Sequence, residues 1–357
     1  MPNEKVKHYL ITNRRVYQRG EKEYINESGN EFAGHNLRFG ELYFDPGQRI
    51  TDVTGDHYHL YPDPPAEEMP PQDLADANTG FTYEHVSHYQ FGSTVLFEAL
   101  NRNGAEAHDD PRHILVYIHG YKCDLKTAFE SVRNLHNLYV ANPESPVDTI
   151  VLFTWPAKEK LLEYRDDAQD AINSGYALAR TLKKLQRFFR QIALQMRNRE
   201  ESPFCHQKIH LMCHSMGNRV LEAMFEELNK TQTKVNSIFG EILLIAADVD
   251  YDAFDAPKPL YNLIEMGERI HIYYHRHDRA LGISETTKNA FNRLGRWGAK
   301  NTTNLPDDCV QVDVSSVKED NASFFENMVN HWYYLYSNVV IQDIIEVLKG
   351  KASKVVL

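Results

Sequence analysis

The sequence predicts an α/β protein: a mostly parallel sheet with helices on both faces, preceded by an acidic, mostly-β extension. Three observations carry this. From residue 113 onward, short uninterrupted apolar runs alternate with longer stretches of helical periodicity, the pattern of doubly buried strands joined by crossover helices. Earlier residues are polar and turn-rich, with only short strand-like runs. The charge divides at the same place, with 9 Lys and Arg against 19 Asp and Glu in residues 1–110, and 30 against 31 in the remaining 247.

In the extension, residues 8–12, 37–44 and 57–61 read as strands and residues 93–100 as a helix. Residues 61–71 hold five prolines, which remove backbone donors and disfavour helix, so this stretch reads as a loop. In the main part, residues 113–119, 149–154, 208–213, 241–246, 269–275 and 309–314 read as strands, and 125–140, 167–197 and 218–228 as helices. Right-handed crossovers between such strands place their C-terminal ends on one edge. The expected organisation is an N-terminal elaboration, 1–110, packed on a catalytic domain, 111–357.

The composition removes several function classes. The chain has 357 residues, 42% of them hydrophobic, enough for a sizeable core, and its net charge of −11 lacks the basic footprint of a nucleic-acid binder. Cys123, Cys205, Cys213 and Cys309 form no Cys-x-x-Cys pair, which argues against a zinc ribbon or a redox motif. No apolar leader and no run of about 18 apolar residues is present, so the expected location is cytoplasmic. His271, His275 and His277 share a strand face, but the first two stand roughly 13 Å apart along a strand, too far to share one zinc. No metal and no cofactor is therefore assigned.

The sharpest local signal is Cys213-His214-Ser215-Met216-Gly217-Asn218. A buried strand runs straight into a helix, with Ser215 at the junction. A nucleophile elbow needs small residues two positions either side of its serine so that a strained turn can expose the hydroxyl. Gly217 fills one such position and Cys213 the other. An elbow also needs oxyanion donors. Met216 supplies the amide after the nucleophile, and Tyr121 the second, in His119-Gly120-Tyr121 at the end of an earlier strand. An acid is expected at the end of a later strand; Asp278 is the first choice, with Asp248 and Asp250 competing. The order Ser, acid, His leaves His331, because the other sixteen histidines precede residue 278.

These motifs, with Phe153-Thr154-Trp155-Pro156, His277-Asp278-Arg279-Ala280-Leu281 and the N-terminal Ile11-Thr12-Asn13-Arg14 and Leu37-Arg38-Phe39-Gly40, together resemble an uncharacterised α/β-hydrolase family, described as a domain of unknown function. The resemblance implies the α/β-hydrolase fold and a serine-hydrolase triad of Ser215, Asp278 and His331. Lys122 stands where the family often has Asn, and Cys213 where an elbow usually has Gly.

The expected reaction is cleavage of a carboxylic ester through an acyl-enzyme, with a small-molecule or lipid ester as partner. A lipid-directed phospholipase or thioesterase, and a non-catalytic binding or signalling scaffold, are the alternatives. Residues 179–199 are basic and amphipathic, with Leu182, Leu185, Phe189, Ile192 and Met196 at helical spacing. The favoured reading is a crossover helix packed on the sheet; a membrane contact is the lesser one. Residues 252–268 and 284–308 lie between strands, where they either cover the site or pack on the body.

Overall fold

The computed structural model describes residues 5–26, 36–61, 112–157, 164–196, 207–234, 237–286, 291–318 and 320–355. The expected helix at 93–100, the proline-rich stretch after Tyr61 and Cys205 lie outside them. The strands are β1 (Val6–Thr12), β2 (Val16–Arg19), β3 (Lys22–Ile25), β4 (Arg38–Phe44), β5 (Tyr58–Tyr61), β6 (His113–Ile118), β7 (Val147–Thr154), β8 (Ile209–His214), β9 (Phe239–Ile245), β10 (Gly267–Tyr274) and β11 (Cys309–Asp313).

Nine of these strands form one sheet in the order β11-β10-β9-β8-β6-β7-β1-β4-β5. The strands from β11 through β1 pair in parallel, and β4 and β5 add an antiparallel flank. Every residue of β8 and β9 is buried, as a strand covered on both faces requires. The covering helices include α1 (Leu125–Leu135), α2 (Tyr164–Met196) and α3 (Gly217–Lys230). Right-handed crossovers put α1 on one face and α2 with α3 on the other. Helix α1 starts at a cap in which the Asp124 carboxylate accepts from the Thr127 amide at 2.7 Å.

Two differences from expectation have physical reasons. The helix expected over 125–140 is α-helical only to Leu135 and continues as a π-helical turn, His136–Val140. There the Ile150 amide donates to His8 Nδ1 at 3.2 Å, and His8 Nε2–H donates to His136 Nδ1 at 3.0 Å. The β2–β3 hairpin has no apolar alternation to announce it: Arg19 faces Lys22 across a turn at Gly20, whose φ is +66°. The extension joins the sheet: Tyr9 pairs with Val151 and Thr12 with Thr154.

Of the basic amphipathic stretch, the described side chains Ala179 and Leu182 are buried and Leu185 packs on the core. Lys183 hydrogen-bonds Thr231, the cap at the C-terminal end of α3. None of the described helices is long and apolar enough to cross a membrane.

Several histidines are held neutral. The Glu241 amide donates to His210 Nδ1 at 3.0 Å, so Nε2–H donates to His113 Nδ1 at 2.8 Å. Burial holds His210 and His214 well below the ordinary imidazole range, His119 down to about 3 and His275 to about 4. The unfolded chain takes up protons near pH 6.5, where these four folded rings do not. Each therefore removes on the order of 1.4 kcal/mol of stability per pH unit as the pH falls below that point. Glu222, pushed up to about 7 by burial, and Asp278, also raised by burial, act in the opposite direction. The urea midpoint is expected to be clearly lower at pH 5.5 than at pH 7.5; equal midpoints would contradict this account.

Candidate active site

The parallel strands end on one edge, and the turns that follow β6, β8 and β10 carry the residues singled out in the sequence. After β8 the backbone turns sharply at Ser215, whose φ is +53°. A left-handed conformation costs a non-glycine residue about 1–2 kcal/mol, so the surroundings must enforce it. The Ser215 amide donates to the Ile245 carbonyl at 2.9 Å. Its carbonyl accepts from the Asn218 and Asp248 amides, both at 3.1 Å, and from Asn218 Nδ2 at 3.0 Å. Asn218 Nδ2 also donates to the Cys213 carbonyl at 3.0 Å, bracing the turn from behind.

Gly217 has no room for a side chain: a Cβ there would lie 2.7 Å from the carbonyl oxygens of Ile118 and His119. Cys213 fits its position fully buried, and burial pushes its thiol pKa far up, so it remains a thiol.

After β6, Gly120 lies against the elbow, where a Cβ would come 2.8 Å from Ser215 Cβ. Tyr121 follows it, half-buried, and Met216 opens the turn into α3. His119 sets the direction of this loop. The Trp155 amide donates to His119 Nε2 at 3.2 Å, so Nδ1–H donates to the Gly120 carbonyl at 2.9 Å. The Trp155 indole stacks on the imidazole at 5.3 Å between centroids and donates to the His119 carbonyl at 2.9 Å.

After β10, Asp278 caps α4 (Arg279–Ser284) by accepting from the Leu281 amide at 2.9 Å. Its other oxygen accepts from His331 Nδ1 at 2.6 Å, and both side chains are buried. Burial pushes the Asp278 carboxyl above its ordinary range, while the charge and hydrogen bond of His331 pull it back. His331 follows Asn330, a left-handed cap at φ +55° that ends α6 (Phe324–Val329). (Helix α5 spans Leu294–Trp297.) Its carbonyl accepts from His214 Nε2–H at 3.2 Å, and the two rings lie 4.8 Å apart. The residue before Ser215 thus holds the loop that carries His331.

The competing acids are engaged elsewhere. Asp248 accepts from Ser284 Oγ at 2.7 Å and lies 3.5 Å from both Arg219 and Arg293. Asp250 pairs with Arg293 at 2.8 Å and Lys258 at 3.4 Å. His271 donates to Glu241 at 2.9 Å in the body of the sheet, away from His275 and His277 at the strand end. In the segment 252–268, Phe254, Leu260 and Leu263 pack into the core. Within 284–308, of which 287–290 lie outside the described residues, Leu294 is buried whereas Phe291 and Trp297 are exposed.

Two contributors escaped sequence reasoning. In the sequence, Asn218 stands only as part of the elbow motif and the start of a helix, and Arg14 only as part of a leader motif. A polar residue directly after Gly217 was the available signal for the first; nothing local distinguished the second.

A parallel sheet with an elbow serine, a buried Asp–His pair and a glycine loop at one edge is the architecture of an α/β hydrolase. The chain belongs to the family described as alpha/beta hydrolase of unknown function (DUF900), which it matches over residues 98–348. It is also 25% identical over 228 residues to the uncharacterized protein alr1448 of Nostoc sp., a match covering 50% of this chain and 56% of that protein. The match thus takes in little more than half of that relative's length. No solved structure matches the chain.

Because both atoms that would meet a Gly217 side chain are backbone, Gly217→Ala is expected to cost about 1–3 kcal/mol of stability in urea unfolding. A variant as stable as the wild type would show that the turn is less tightly enclosed.

Proposed function

We propose that the protein is a serine hydrolase that cleaves a carboxylic ester. Ser215 is the nucleophile, His331 the general base and Asp278 the acid that orients it, with the Met216 and Tyr121 amides as oxyanion donors. The observation that carries this reading is the buried 2.6 Å contact from His331 Nδ1 to Asp278. With Nδ1 committed as a donor, Nε2 is the acceptor that can take the serine proton. The attack forms the bond from Ser215 Oγ to the acyl carbon, and the proton passes through His331 to the departing alcohol. Water then repeats the sequence and frees the acid. The two amides act on the charge that develops on the carbonyl oxygen, where losing one donor typically costs about 10²–10³ in rate.

The N-terminal elaboration, 1–110, belongs in this reading to the same catalytic unit as 111–357. The described cysteines form no disulfide, which supports a reducing, cytoplasmic location. A lipid ester is the second reading, favoured by the exposed Ile283, Phe291 and Trp297, which follow Asp278 in the chain.

The test is labelling with a fluorophosphonate and turnover of short-chain p-nitrophenyl esters. The wild type is expected to do both and Ser215→Ala neither. Asp278→Asn is expected to lower kcat by about 10⁴, whereas Asp248→Asn and Asp250→Asn act on stability. A wild-type protein that neither labels nor turns over is a scaffold, and the hydrolase reading then fails.

A further inference from the structure

Arg14 follows β1 and is buried under the loop that leaves β6, about 110 residues later in the chain: its separation from Cys123 is 109. Its Nη2 donates to the Cys123 carbonyl at 2.7 Å, and its Nε to Thr154 Oγ1 at 2.9 Å. That hydroxyl, accepting from Arg14, lies 3.0 Å from His119 Nε2 and directs its own proton there. The same nitrogen accepts from the Trp155 amide, so His119 keeps its proton on Nδ1 and hands it to the Gly120 carbonyl. One guanidinium therefore holds the loop at Cys123 directly and at Gly120 through Thr154 and His119. Between these points stand Tyr121 and Lys122, the latter at φ +55°, a conformation that relaxes unless it is pinned.

Arg14 is itself fixed. Its amide donates to Thr12 Oγ1 at 3.0 Å, and Thr12 Oγ1 donates to the Thr154 carbonyl at 2.9 Å. Its carbonyl accepts from Asn36 Nδ2. Its neighbour Asn13 donates to Ser174 on α2 at 2.8 Å. A planar fork can serve two acceptors at a set spacing, which an ammonium cannot do with the same geometry. Burying a guanidinium away from water is costly, which a purely space-filling role would not require.

We propose that Arg14 is the positioning residue of the oxyanion loop, so that the N-terminal leader completes the active site without touching substrate. This rests on the hydrolase reading above, in which the Tyr121 amide faces the developing oxyanion.

The experiment compares wild type, Arg14→Met, Thr154→Val and the double variant in the full chain. Intact sites are first counted by fluorophosphonate titration, so that kcat is expressed per reactive Ser215 and misfolded molecules do not enter. For p-nitrophenyl acetate, Arg14→Met is expected to lower kcat per site by about 10²-fold with KM within about twofold, the loss that a misplacement of roughly 1 Å produces. Binding of a trifluoromethyl ketone, whose adduct carries the oxyanion, should weaken by a similar factor. Thr154→Val should lose about tenfold, and the double variant should be no worse than Arg14→Met, because the two act on one loop.

A kcat per site in Arg14→Met within about twofold of wild type would overturn the proposal, as would a loss confined to KM or full additivity in the double variant. If Arg14→Met yields no folded protein, the near-isosteric Thr154→Val decides, and unchanged turnover there overturns the proposal. If the wild type itself fails to label, the hydrolase reading is what has failed, and this proposal falls with it.

Discussion

The arrangement depends on one residue held in an unfavourable backbone conformation. Ser215 adopts left-handed φ without being glycine, and nothing in its own chemistry favours that. The cost is met by neighbours that leave it no alternative: three donors converge on its carbonyl, and Ile245 accepts from its amide. The same constraint fixes what stands nearby. Gly217 must lack a side chain because the backbone of residues 118 and 119 lies against it, and Gly120 because the serine itself does. The elbow and the loop after β6 are therefore two halves of one packing problem, solved with two glycines and one buried asparagine.

A second regularity runs through the site. Several carbonyls at strand ends and in the segments beyond them are buried, and a buried carbonyl left unpaired is costly. Here a side chain from a different element meets each. Arg14 reaches Cys123, Asn218 reaches Cys213, Tyr333 reaches Tyr273, Tyr139 reaches Tyr334, and His214 reaches His331. The Tyr333 hydroxyl also accepts from the Ala246 amide at 2.8 Å, and so ties the ends of β9 and β10 together. These contacts satisfy polar groups and set loop positions at once.

Much of this was legible in the sequence, and the reasons differ from part to part. The central strands announce themselves because burial on both faces demands long apolar runs, as in Ile242-Leu-Leu-Ile-Ala246. The serine turn is legible because only certain residues fit there, and His331 because histidines are scarce late in the chain. The β2–β3 hairpin was not legible, since its short strands lack apolar alternation and only the stacked Tyr17 and Tyr24 pair across them. The π-helical turn at His136–Val140 was hidden because it depends on His8 from a distant strand. Arg14 was hidden for the same reason: a side chain's role is invisible locally when both its acceptors lie more than a hundred residues away.

The place of β1 inside the sheet also orders events in time. It is the first of the described strands, yet its parallel partner arrives late, with Thr12 meeting Thr154 across 142 residues. Until then only β4 and β5 are available to it. Closing so long a loop is entropically slow, and such contacts form late in folding. During synthesis, a nascent chain that has not yet reached β7 can pair β1 with β4 while its other edge stays open.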